Sequence, residues 1–427
     1  MKKLIPFSFV FALLLVFNSC SDKVEITRSY TVYEPVFMSP QALREAVIVA
    51  DPVNIEITGK IYLYKNFLLI NEPGKGIHII NNVDPSNPQP LKFINIPGNF
   101  DMAVKGDMLY ADSYVDLVVF DISDINKIEE TERLEEIFLG TNQYYYDLEK
   151  GVIVAWEEVE KIVVSEDDYG YYPAYFWYDN GLSGDFMAFS EMASADRAAF
   201  VAPSSTGVGG SMARFTIVNN HLYSIDNSNL YTFNISDLRN PQKISSKNIG
   251  WGIETIFPYK ENLFLGSQTG MHIYGISDPD SPEFVSIFQH VRRCDPVVVQ
   301  DTLAYVTLRG GDECGGFTNQ LDVVNIKDLT TPYLIKTYPM QGPYGLGIDG
   351  NTLFVCDGSA GLKVYNASDV NNIDKNHIKT YSDIDAYDVI PFNNLLIMIG
   401  KDGVTQFDYS NPENIIQLSH IDVKAGS

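Results

Sequence analysis

Five carboxylates lie at or next to the ends of apolar runs, where side chains can converge: Asp101, Asp112, Asp116, Glu254 and Asp295. Paired carboxylates can divide the general-acid and general-base roles of glycoside hydrolysis. Asp101, Glu254 and Asp295 stand just before an apolar run at matching places in a repeated unit. Repetition alone would set such groups in a ring, whether or not they do chemistry. They could also hold a cation, but no stretch matches a calcium loop of the EF-hand kind. Nucleophilic catalysis needs a hydroxyl or thiol held against a base, and the chain has no Gly-x-Ser-x-Gly elbow. The six histidines (His78, His221, His272, His290, His377 and His420) are scattered and lack His-x-x-x-His spacing. The expectation is therefore no catalytic residue, no metal and no cofactor.

Recognition chemistry is better represented. From about residue 165 to 211 the chain carries Tyr169, Tyr171, Tyr172, Tyr175, Phe176, Trp177 and Tyr178 beside Glu166, Asp167, Asp168 and Asp179. Clustered Tyr and Trp favour sugar stacking or protein contact, so Tyr172, Tyr175, Trp177 and Tyr178 are candidate ligand contacts. The alternative is a lid packed on its own blade. Arg292, Arg293 and Arg309 are rare positive groups suited to an anion, unless they pair with Asp295 and Asp312. Gly207 to Ser211 looks superficially like a phosphate cradle, but no Lys follows it and no helix pattern either. It reads instead as a flexible return into the next strand. Cys294 and Cys314 fall in loops of one repeat and could pair in an oxidising compartment. Cys356 lies in a strand pattern and reads as a small buried apolar residue.

The formal net charge of −25 excludes a nucleic-acid partner, which needs a basic surface. Residues 1–19 read as a signal peptide: Lys2 and Lys3, an apolar core from Leu4 to Phe17, then Asn18-Ser19-Cys20. That run resembles a bacterial lipoprotein cleavage box, and Asn-Ser-Cys-Ser-Asp resembles lipoproteins of the Bacteroidetes group. The resemblance implies diacylglycerol on Cys20 and residence at the outer membrane, on a periplasmic or surface face. Several acyl chains on one residue anchor firmly.

The elements that must position these groups repeat about eight times, at intervals of about forty residues, the spacing of a four-stranded propeller blade. Each copy has short runs rich in Val, Ile, Leu, Tyr and Phe, bounded by Asn, Asp, Gly and Pro. The turns are explicit at Lys105-Gly106-Asp107, Asn219-Asn220, Asp349-Gly350 and Asn393-Asn394. The copies end in Asp-Ile-Ser-Asp or a decayed version, clearest at Gly270-Met271-His272-Ile273-Tyr274-Gly275-Ile276-Ser277-Asp278-Pro279. The third copy, near Tyr145, lacks that ending and runs into the aromatic insertion. Before the first copy, Val24 to Phe37 reads as a strand, Pro40 to Val47 as a short helix capped by Ser39, and Asp51 to Ile57 as an imitation of a blade's last strand.

Leu117-Val118-Val119-Phe120-Asp121 and Leu321-Asp322-Val323-Val324-Asn325 resemble the motif that names the LVIVD-repeat family, as does the trailing Ile-Ser-Asp-Pro with a second Pro at 282. The resemblance covers about residues 55 to 424 and implies a secreted or lipid-anchored bacterial β-propeller of undefined role. The expected organisation is a signal peptide (1–19), a tether and lead-in (20–58) and one all-β propeller of four-stranded antiparallel blades (59–427). Eight blades are favoured, with seven the count if the third copy is absorbed elsewhere. The expected role is a binding or scaffolding module for protein or glycan. The rival is an enzyme acting on a polysaccharide or small anion at the channel mouth.

Overall fold

The computed structural model describes residues 26–139, 146–147, 149–165, 206–290, 296–310 and 318–424. They divide between two compact units. The smaller comprises residues 26–37 and 153–165, parts of two long strands, Ile26–Met38 and Gly151–Ser165. It exposes Tyr33, Trp156 and Ile162 and is laced by a Lys161–Glu34 ion pair at 2.6 Å.

The larger unit is a β-propeller of antiparallel blades. Blade 1 is Ile61–Tyr64, Phe67–Glu72, Gly76–Asn81 and Gln89–Asn95; blade 2 is Met102–Lys105, Met108–Ser113, Asp116–Asp121 and Glu129–Leu134. Blade 3 runs from Phe215 to Asn248, blade 4 from Ile253 to Gln289 and blade 5 from Val297 to Pro339. Blade 6 runs from Leu346 to Tyr381 and blade 7 from Ala386 to Asp422. Each is a meander whose first strand is innermost, and the inner strands follow one another in sequence order. The circuit closes where blade 7 meets blade 1: Ile390, Ile397 and Ile399 share one apolar cluster with Ile61, Leu68 and Ile70. Closing the series into a ring leaves only short inner edges, sheltered within the channel.

Eight repeats give eight sheets, but the sheet from the third copy has only three strands, in the order Ile26–Met38, Gly151–Ser165, Tyr146–Asp147. Blade 2 packs directly on blade 3, through a cluster that joins Val104, Leu109 and Phe120 to Phe215, Leu222 and Phe233. Seven is therefore the number of meanders that succeed one another in the larger unit. The third copy departs because its second strand runs on to residue 165 without the Asp-Ile-Ser turn.

The repeated residues have local causes. In Asp121-Ile122-Ser123-Asp124, the Asp121 carboxylate accepts from Ser123 N at 2.9 Å and Asp124 from Asn126 N at 3.0 Å, two successive Asx turns. Ile122 is buried between them. The glycine that opens a third strand answers a close approach. A Cβ on Gly76 would sit 2.0 Å from the Ile94 carbonyl, and one on Gly403 would sit 2.0 Å from that of Ile421. Gly106 and Asp107, and likewise Asn393 and Asn394, take paired positive φ in tight hairpins.

The lead-in behaves partly as expected. Ser39 Oγ caps the helix Pro40–Glu45 by accepting from Ala42 N at 3.2 Å. The strand added to blade 1 is Ile48–Ala50, paired with Phe93–Asn95. It is not Asp51–Ile57: Pro52 offers no N–H to a ladder, and that stretch is irregular. Ile55 still ties the ends together, since its carbonyl accepts from Lys424 N at 2.8 Å.

Candidate functional site

The candidate site is the channel enclosed by the inner strands and the rim at which those strands begin. Asp101 immediately precedes blade 2's inner strand and is almost fully buried. Its Oδ2 accepts from Lys60 Nζ at 2.9 Å, from Phe215 N at 3.0 Å and from Arg214 N; its Oδ1 accepts from Met102 N at 2.7 Å. One carboxylate thus joins blades 1, 2 and 3. Burial draws the Lys60 amine below its ordinary pKa, with Asp101 opposing. Asp112 caps the same turn, accepting from Asn99 Nδ2, Phe100 N and Asp101 N at 2.8–2.9 Å. Burial pushes its pKa up to about 6, although the two backbone donors oppose the shift.

Glu254 does not precede its strand but falls second in it, buried, and accepts from Gln268 Nε2 at 3.1 Å. Asp116 has a fully buried side chain that accepts from Arg44 Nε at 2.9 Å, Arg133 Nη1 at 3.1 Å and Glu136 N at 2.9 Å. It clasps the lead-in helix to blade 2. Asp295 lies outside the described residues, as do Cys20, Tyr172, Tyr175, Trp177, Tyr178, Arg292, Arg293, Cys294 and Cys314. Cys356 is buried and free, as its strand pattern suggested, and burial raises its pKa.

The glycine-rich return is not a loose connector. Thr206 bridges Lys105, and Val208 bridges Leu63 in antiparallel fashion. Leu63 N donates to Val208 O at 2.9 Å, Val208 N to Leu63 O at 2.8 Å, and Gly207 N to Val104 O at 3.1 Å. The chain then crosses the channel. Ser211 Oγ accepts from Leu346 N at 3.3 Å, and Ala213 O accepts from Ile256 N at 2.7 Å. Residues 206–213 therefore touch the inner strands of blades 1, 2, 4 and 6. Glycine is needed because a Cβ at 207 would lie 2.2 Å from the Tyr62 ring and 2.8 Å from Leu63 O. This segment, which the sequence presented as a flexible return, crosses the channel bound to four inner strands.

The rim carries an aromatic and cationic group. The Arg309 guanidinium lies 4.1 Å from the centre of the Tyr344 ring, and Tyr344 meets Tyr387 at 5.2 Å with planes 50° apart. Trp251, 53% exposed, stands between Gly250 and Gly252, both with positive φ. Arg309 was legible in the sequence; Trp251, Tyr344 and Tyr387 were not singled out. The glycines around Trp251 and Gly342-Pro343 before Tyr344 were the available signals.

Three of the histidines are engaged in side-chain pairs. His78 meets Glu72 and His221 meets Asp280, both at 2.8 Å, and His420 meets Thr405 at 2.8 Å. Among the described residues no three acidic, histidine or cysteine side chains group as metal ligands.

No protein-family model and no curated protein matches the chain. Among solved structures it is similar to the computationally designed Ika8 protein, at 9% identity over 87% of this chain and 92% of that one, with a TM-score of 0.51. It is also similar to Saccharomyces cerevisiae Sqt1 (10% identity, 87% and 97% covered, TM-score 0.48) and to BamB from Moraxella catarrhalis (9%, 90% and 98%, TM-score 0.45). At such identities the likeness concerns fold alone.

Proposed function

We propose that this propeller is a binding module for a protein partner, held at the cell envelope by lipid on Cys20, and that it performs no chemistry. One observation supports this above others. The channel that a substrate of the rival enzyme would enter is crossed by residues 206–213, and the Asp101 carboxylate there already accepts from one amine and three amides. Its oxygens are committed to holding blades 1, 2 and 3 together. The rim offers instead what partner surfaces use: Trp251, a tyrosine pair and a guanidinium.

The test is capture from detergent-solubilised envelopes, with the partner identified and its affinity measured. Trp251→Ala, Tyr387→Ala and the double change Trp177→Ala with Tyr178→Ala should each weaken binding, while Glu254→Gln should not. Turnover of a polysaccharide or anionic substrate that Glu254→Gln abolishes would replace this reading with the enzymatic one. Metabolic labelling with a fatty acid should mark the wild type, and Cys20→Ala should lose both the label and membrane fractionation.

A further inference from the structure

The segment in the channel has the character of a ligand. Its hold on blades 1 and 2 is one chain's extended backbone laid against two others: two hydrogen bonds to Leu63 and one to Val104. Its side chains add little. Between Thr206 and Ser211, Val208 alone is apolar, and it packs against the cluster of Ile61, Leu63 and Ile397. The specific requirement is steric, an absent side chain over the Tyr62 ring. Strand addition recognises peptides in this way, with main-chain bonds giving the hold and side-chain spaces giving the choice.

We propose that the groove between the inner strands of blades 1 and 2 is a seat for an extended peptide, filled in this state by the chain's own residues 206–208. The occupant it takes is an extended strand with glycine over Tyr62 and a small apolar residue next to it. The seat is self-occupied because tethering keeps the local concentration of the internal strand high. It can empty without loss of the ring, since the blades keep their own ladders and shared apolar clusters. This inference does not depend on the rim acting as the partner surface.

Amide hydrogen exchange on the full chain tests it. The amides of Gly207, Val208 and Leu63 should exchange through local opening at least about 100-fold faster than those of Leu69 and Ile70 in the middle of blade 1. Gly207→Val should evict the segment, so that Leu63 loses protection while far-UV circular dichroism is kept. The free hexapeptide Ser-Ser-Thr-Gly-Val-Gly, copied from residues 204–209, should then restore protection at Leu63. The same peptide with Val for its first Gly should not. Unchanged protection in Gly207→Val, restoration by both peptides, or restoration by neither would overturn the proposal. Should Gly207→Val fail to fold, the wild-type rates decide: Val208 exchanging no faster than Leu69 means a permanent part of the core and no seat.

Discussion

Lys60 and Asp101 form an ion pair inside the ring, 6% and 3% exposed, with Nζ and Oδ2 2.9 Å apart. Lys60→Met keeps the length and apolar stem but removes the charge. Stripping one partner from a buried pair costs about 3–5 kcal/mol, because the other charge is left uncompensated. Three backbone amides still donate to Asp101, so the expected loss is smaller, about 2–4 kcal/mol. Adding Asp101→Asn removes the stranded charge, but Met102 N donates to Oδ1 and the Arg214 and Phe215 amides to Oδ2, so the one remaining oxygen serves one side and the new NH2 faces a donor on the other. The double variant should therefore recover only part of the loss, about 1–2 kcal/mol of it. Urea unfolding followed by circular dichroism gives both differences, and the double-mutant cycle gives the coupling. A Lys60→Met cost below about 1 kcal/mol, or a double variant no better than the single, would refute the view that this pair joins the first three blades.

The other expectations are compact. Asp112 has a folded-state pKa of about 6 against an ordinary 3.8, so its stabilising contribution is full below the lower value and is lost as pH rises through the higher. Asp112→Asn should therefore gain on the wild type between pH 4 and 7, by at most about 3 kcal/mol; a difference that stays flat across that range would contradict the assignment. Arg44→Ala leaves Asp116 with Arg133 and one amide, and should cost about 1–3 kcal/mol while opening residues 38–47 to limited proteolysis; unchanged cleavage would mean the helix docks by other means. Gly403→Ala forces a Cβ against the Ile421 carbonyl at positive φ and should lower stability by about 2 kcal/mol or more, read as a drop in thermal midpoint.

Much of the fold was legible because its causes are local. Asn393-Asn394 dictates its own hairpin, Asp121 and Ser123 make their own turn, and Ser39 caps the helix it precedes. The leading glycine of the third strand was visible as a pattern, though its reason, a carbonyl of the strand beside it, is visible only in three dimensions. What escaped was what distant segments do to one another. Nothing near Gly207 announces Tyr62, well over a hundred positions earlier, so a close-packed crossing looked like slack chain. Asp101 was found by its place in the repeat, but its partners come from blades 1 and 3. Tyr344 and Tyr387 belong to different repeats and form a site only once the blades stand side by side.

Each blade is built from one uninterrupted stretch, and Lys424 N lies 2.8 Å from the Ile55 carbonyl. Many rings of this kind would be torn by relocating their ends through a shared sheet; here no sheet is shared between first and last. A short peptide joining residue 424 to residue 55, with new ends opened at the Asp349-Gly350 turn, would give a circularly permuted protein that keeps the four-stranded ladder of each of the seven blades and gives up the Ile48–Ala50 strand added to blade 1. Such a rearrangement would present the blades in a new order of synthesis, and so separate the order in which they fold from the order in which they stand.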